Sequence, residues 1–128
     1  MGGFRVLLTQ PIHEAGIRIL REVAEVDLRN FEVDVSEDVV AEAARDVDAI
    51  ITRLPKVTRK VIMEAERLKV IGRHGAGLDN IDIEAATERG IPVVYTPDAP
   101  AESVAEHTIG FMIALAKHMV IADRALRK

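Results

Sequence analysis

Val70-Ile71-Gly72-Arg73-His74-Gly75-Ala76-Gly77-Leu78-Asp79-Asn80 is a short apolar run that breaks into a glycine-punctuated loop. The apolar pair reads as the end of a buried strand. Gly72, Gly75 and Gly77 then read as a turn whose backbone is free to take positive φ and to approach a ligand closely, because no Cβ intervenes. Such a turn presents bare N–H groups. Beside an arginine, whose guanidinium forms bidentate charge-assisted hydrogen bonds, they suit a carboxylate or phosphate. A tight strand-to-helix turn with no ligand is the plainer reading of the same residue types, and both stay open at this level.

The surrounding chain repeats one pattern. Phe4-Arg5-Val6-Leu7-Leu8-Thr9 is a β-rich run stopped by Pro11, and residues 13–23 place Ile17, Leu20 and Val23 at helical spacing. Val26-Asp27-Leu28 reads as a short strand. Ser36 is placed to cap a helix through Ala44, with Val39, Val40 and Ala43 as its inner face. Ala49-Ile50-Ile51-Thr52 is a third strand, Thr58 caps residues 59–66, and Val70-Ile71 is the fourth strand. Asp82 opens a helix that Gly90 closes, with Pro92 just beyond and Val93-Val94-Tyr95 as the fifth strand.

Strands alternating with helices predict right-handed crossovers and an α/β fold: a doubly wound, flavodoxin-like parallel five-stranded sheet of order 2-1-3-4-5, covered on both faces. Ligands of such sheets gather beyond the carboxyl ends of the strands. Thr9-Gln10, Thr52-Arg53-Leu54 and Arg73-His74-Gly75-Ala76-Gly77 are therefore predicted to line one rim.

Pro97 and Pro100 bracket a connection into residues 101–127, roughly 40 Å long if helical throughout. Its apolar residues, among them Val104, Ile109, Phe111, Leu115 and Val120, cover more than the roughly 100° stripe of a single-faced helix. The pattern predicts a domain over residues 1–100 and a long C-terminal helix over 101–128. That helix either reaches another domain or subunit, or lies on its own sheet with a frayed end.

A chain of 128 residues, 48% hydrophobic and 30% charged, has the composition of one soluble globular domain. A net charge of −4 supplies no basic field for nucleic acid or an anionic membrane, and the longest apolar run is far short of a membrane span. No cysteine is present, which excludes disulfides and thiolate metal sites and fits a reducing, cytoplasmic setting. The start Met1-Gly2-Gly3-Phe4-Arg5-Val6 has neither a signal-peptide layout nor a myristoylation pattern.

Longer motifs carry a family resemblance. The opening stretch, Ile81-Asp82-Ile83-Glu84-Ala85-Ala86-Thr87-Glu88-Arg89-Gly90-Ile91-Pro92-Val93-Val94, and Ser103-Val104-Ala105-Glu106-His107-Thr108 together closely resemble the D-isomer-specific 2-hydroxyacid dehydrogenases, phosphoglycerate dehydrogenase-like members most of all. The likeness covers nearly the whole chain and is most specific over residues 68–117. It implies the smaller substrate-binding or lid domain of an NAD-dependent oxidoreductase, with the long helix leading into a Rossmann-type NAD-binding domain. In the family that second domain bears the substrate-polarising arginine and the histidine–carboxylate pair, so the resemblance assigns no catalytic residue here. Nor does any G-x-G-x-x-G occur, since Gly72, Gly75 and Gly77 form G-x-x-G-x-G. Hydride transfer needs a held nicotinamide and a proton donor within reach, so the chain alone is expected to be inactive.

By resemblance, Arg73 and the backbone of Gly75, Ala76 and Gly77 match the loop that grips the substrate carboxylate. Arg53, with Leu54 beside it, stands where a second contact to the substrate's distal group is common; a plain surface arginine is the alternative. Ala76 and Val104 match positions near the nicotinamide-ribose edge of NAD. Tyr95 departs from a common asparagine and Lys117 from a common arginine. The implied partners are a small anionic 2-oxo or 2-hydroxy acid, the NAD-binding domain and a second copy joined through the C-terminal helix. Phosphoglycerate fits Arg53, while glyoxylate, hydroxypyruvate and bulkier acids stay open.

The rival reading is a free-standing flavodoxin-like interaction or oligomerisation module without catalysis. Two better-known uses of the fold fail at their functional positions. A receiver domain needs acidic residues where Thr9-Gln10 and Thr52-Arg53 stand, and Gln10-Pro11-Ile12 cannot cradle a flavin phosphate. Adjacent Glu106 and His107 point about 100° apart on a helix, which favours packing over a dyad. His13, His74 and His118 show no metal-ligand spacing, and the acidic run 32–42 reads as a solvated face.

Overall fold

The computed structural model describes residues 3–127; the readings at Met1-Gly2 and Lys128 fall outside them. In chain order the described residues form β1 (Phe4–Leu8), α1 (Glu14–Val23), β2 (Ala24–Leu28), α2 (Glu37–Ala44), β3 (Ala49–Thr52), α3 (Arg59–Glu64), β4 (Val70–Arg73), α4 (Ile83–Glu88), β5 (Val93–Tyr95), α5 (Ala101–Ala116) and α6 (Met119–Leu126). All strand pairs are parallel, in the expected order β2-β1-β3-β4-β5. Two compact units result, one up to Thr96 and one from Pro97 onward.

Strand periodicity sorts the first unit's core. Leu7, Ile50 and Ile71 point to one face and are fully buried under Val40, Ala41 and Ala44 of α2, Val61 and Ile62 of α3, and Ala85 and Ala86 of α4. The inner face of α2 is therefore rotated from the expected Val39, Val40 and Ala43: Val39 is 48% exposed, and two alanines take its place. Small side chains let α2 sit close to α3, so reading bulk as the mark of an inward position misplaces the face. Ser36 stands at the N-cap of α2 but makes no capping bond with its side chain.

On the opposite face Val6 and Leu8 of β1 and Ile17 of α1 are buried, with α1 packed against β2. Over β3, β4 and β5 this face carries half-buried Ala49, Ile51 and Val70 and a 56% exposed Val94. Within the first unit, then, the expected double cover is complete on one face and partial on the other.

Asp82 caps α4, its Oδ1 accepting the Ala85 N–H at 2.8 Å, and Gly90 takes φ +65° just past the helix end. Asp82→Ala should cost about 1 kcal/mol, read as a lower urea midpoint at unchanged m-value.

At the amino edge of the sheet Asp48 is only 3% exposed, yet charged. Its Oδ2 accepts the Arg5 backbone N–H at 3.0 Å and Arg67 Nη2 at 2.9 Å, and Oδ1 meets Lys69 Nζ at 3.1 Å. The Arg5 amide, then the Lys69 and Arg67 cations, hold this carboxyl below the usual range against the opposing effect of burial.

In the second unit the single long helix expected from the sequence is two helices, of 16 and 8 residues. His118 breaks it by taking φ 51° and ψ 34°, while its carbonyl accepts the first bond of α6 from the Ala122 N–H. Neither glycine nor proline marks the break, and no residue of either helix is buried. No described helix is long and apolar enough to cross a membrane.

Candidate functional site

Strand register brings the carboxyl ends together: Leu8 lies opposite Ile51, Thr52 opposite Arg73, and Arg73 opposite Tyr95. The strand order reverses between β1 and β3, which is where an open α/β sheet forms its crevice. A buried hydroxyl relay ties that point, Thr9 Oγ1 donating to Thr52 Oγ1 at 3.2 Å and Thr52 Oγ1 to the Pro55 carbonyl at 2.8 Å.

The turn after β3 is braced from both sides. Gln10 Oε1 accepts the Leu54 N–H at 3.2 Å while its Nε2 donates to the Phe31 carbonyl at 2.9 Å. Asn80 Nδ2 donates to the Pro55 carbonyl at 2.9 Å and, more loosely, to that of Arg53 at 3.4 Å. Backbone at residues 53–55 is thereby fixed, with Arg53 and Leu54 exposed above it. The sequence marks Gln10 as a rim position and Asn80 as part of the loop, without a bracing role for either. Their bracing role follows from an amide's ability to donate and accept at once.

β4 runs two residues further than Val70-Ile71, so Gly72 is a strand residue; a Cβ there would lie 3.3 Å from Ile51 Cγ1. Of the three glycines in the stretch only Gly75 has positive φ, +143°. Its own N–H is not a free donor, because it bonds the Arg73 carbonyl at 3.0 Å. Its carbonyl accepts the Thr96 N–H at 3.1 Å, and the His74 N–H is held by the Thr52 carbonyl at 2.9 Å.

Arg73 does not extend outward as expected for a direct ligand. Its Nε donates to the Gly77 carbonyl at 2.8 Å and its Nη1 to the His74 carbonyl, laying the guanidinium across the loop. The carbonyls of Arg73, His74, Gly75 and Gly77 are thus occupied, whereas the Ala76 and Gly77 amides have no acceptor among the described residues. Two unclaimed donors beside a cation suit an anion, although the Ala76 carbonyl is also without a donor among the described residues and Asp79 Oδ2 lies 3.1 Å from where a Cβ on Gly77 would stand.

The structure therefore gathers Arg53, Leu54, Arg73, Gly75, Ala76 and Gly77 on one edge of one unit. Three contribute differently from the expectation: the Leu54 and Gly75 amides and the Arg73 guanidinium are used internally. Val104 belongs to the second unit, in the first turn of α5, and is exposed. His74 is exposed, and the His107 ring meets Phe111 edge-on at 4.2 Å, a packing contact rather than a pair with Glu106. Among the described residues no cluster of metal-ligating side chains occurs.

NAD, which the resemblance implies, does not fit these residues as a phosphate-held ligand. The glycine-bearing turn into α4 ends on Asp82, whose carboxylate occupies the Ala85 amide, and Glu84 follows in the first turn. Two negative charges at that N-terminus oppose a pyrophosphate.

Residues 6–125 match the family model described as D-isomer specific 2-hydroxyacid dehydrogenase, catalytic domain. A D-3-phosphoglycerate dehydrogenase from Methanocaldococcus jannaschii is 47% identical over 97% of this chain, and a glyoxylate reductase from Pyrococcus furiosus is 36% identical over 96%. The chain spans only 23% and 37% of the lengths of these two relatives. Among solved structures, an NAD+-bound 3-phosphoglycerate dehydrogenase from Entamoeba histolytica superposes with a TM-score of 0.71 at 33% identity, over 88% of this chain and 39% of that one. With that match over nearly its whole length and the same parallel sheet, the chain belongs to the D-isomer-specific 2-hydroxyacid dehydrogenase family.

Proposed function

We propose that this chain is the substrate-holding domain of an NAD-dependent D-2-hydroxyacid dehydrogenase. A 2-oxo or 2-hydroxy acid carboxylate sits on the Ala76 and Gly77 N–H groups, in the field of Arg73. The single observation that carries this reading is the pairing of two unclaimed amides with the occupied carbonyls of Arg73, His74, Gly75 and Gly77. Arg53 and Leu54, exposed on a braced turn of the same edge, face the distal end of the acid, and a phosphate there makes the substrate phosphoglycerate-like. The names of the relatives, phosphoglycerate dehydrogenase and glyoxylate reductase, support both ends of that size range.

NAD and the acid/base groups belong to a companion NAD-binding domain. The exposed apolar residues of α5 and α6, including Phe111, Met112, Leu115 and Ile121, support a homodimer through this helical unit, and the cysteine-free composition fits a cytoplasmic setting. The same exposed helices favour the rival reading, a free-standing interaction or oligomerisation module without catalysis; a helix that merely joins two copies is compatible with the first.

Titration of the labelled chain with glyoxylate and with 3-phospho-D-glycerate tests the reading. The Ala76 and Gly77 amide signals should move with both acids. Arg53→Met should weaken phosphoglycerate roughly tenfold, the scale of one lost charge-assisted hydrogen bond, and leave glyoxylate unchanged. Absence of any movement at these amides refutes the proposed site.

A further inference from the structure

We infer that Arg73 is a positioning residue, a latch that shapes the anion-binding loop and does not itself contact the acid. The inference rests on the substrate-site reading above but concerns a different physical link: how two amides come to be left without acceptors.

Three observations converge on the guanidinium. Nε and Nη1 bond carbonyls on both sides of Gly75-Ala76, those of Gly77 and His74, and so close residues 73–77 into a ring. The guanidinium also lies flat on Gly75, since a Cβ there would stand 2.9, 3.1 and 3.2 Å from Nη1, Cζ and Nη2. Those near-equal distances mean that the plane, and not an edge, covers the glycine. Gly75 is in addition the one loop residue at positive φ, and the turn it makes aims the His74 and Gly77 carbonyls at one side chain.

Arginine suits this task and lysine does not. The guanidinium offers a rigid planar fork that can serve two carbonyls while lying against a backbone, whereas an ammonium is a point donor on a flexible stem. By consuming two carbonyls, Arg73 removes the partial negative charges that would otherwise face an incoming carboxylate. Its charge is partly spent on the loop before any ligand arrives.

Three variants separate a latch from a ligand. Arg73→Gln removes charge and fork, Arg73→Lys keeps the charge but loses the fork, and Gly75→Ala keeps the arginine but displaces it and strains the positive-φ turn beneath it. The latch requires all three to weaken acid binding similarly, by roughly tenfold, and to increase ligand-free motion of the Ala76 and Gly77 amides. If arginine contacts the acid directly, Arg73→Lys should stay within about twofold of wild type while Arg73→Gln falls, which overturns the inference.

Ligand-free hydrogen exchange at Arg73 Nε supplies a readout independent of the site. Protection in the wild type that is lost in Gly75→Ala supports the latch, and exchange at the free rate overturns it. Were wild-type amides unmoved by any acid but Nε protected, the substrate reading alone would fail. Thermal melts of each variant establish that the sheet remains folded.

Discussion

Mixed with NADH and any 2-oxo acid, the chain is expected to oxidise no cofactor above the buffer rate, whereas appending the remainder of the Methanocaldococcus jannaschii relative should produce turnover. The expectation follows from what the described residues offer. The turn into α4 is capped by Asp82 and followed by Glu84, so no phosphate seat exists there, and His107 is committed to Phe111. The loop supplies binding donors and no proton donor placed by a partner. Positioning of two reactants contributes effective molarities of about 10⁵ M or more, and a domain that orients only one of them forfeits that factor. Turnover by the chain alone would remove the substrate-domain reading, as would a folded fusion that binds NAD but stays inert.

Asp48→Ala is expected to lower stability by roughly 2–3 kcal/mol, more than loss of the Asp82 cap, because a carboxylate only 3% exposed is the acceptor for the Arg5 amide. The Lys69 and Arg67 side chains are 61% and 50% exposed, so their ion pairs are screened and contribute the smaller share. The same contact sets an acid limb. The folded-state pKa lies below the unfolded value of about 3.9, so the stabilisation is present above that value. It is lost as pH falls from about 4 through the lowered folded value. Urea melts as a function of pH check both statements. Asp48→Asn should flatten this limb, and retention of the wild-type slope would mean that other carboxyls carry it.

The strand order was legible because β-rich runs recur between helix caps with working chemistry: Thr58 and Asp82 both bond first-turn amides as their residue types predict. The rim was legible for the same reason, since register follows once the strands are parallel. Three features were not. The burial of Ala41 and Ala44 in place of Val39 depends on how closely α2 approaches its neighbours, which hydropathy does not encode. The break at His118 uses a left-handed conformation in a run of good helix formers, with no local signal. Arg73 was readable as a cation beside a glycine turn, but residue type states charge and not direction. Its fold-back became visible only with the covered α-carbon of Gly75.

The amides of Gln10 and Asn80 separate two jobs that most loops combine. They grip main-chain atoms of residues 53–55 and leave the Arg53 side chain untouched. Position 53 is therefore an exchangeable socket: its occupant can be lengthened, shortened or neutralised while the frame beneath it keeps its shape. One codon there can change the side chain on display without rebuilding the sheet edge that presents it.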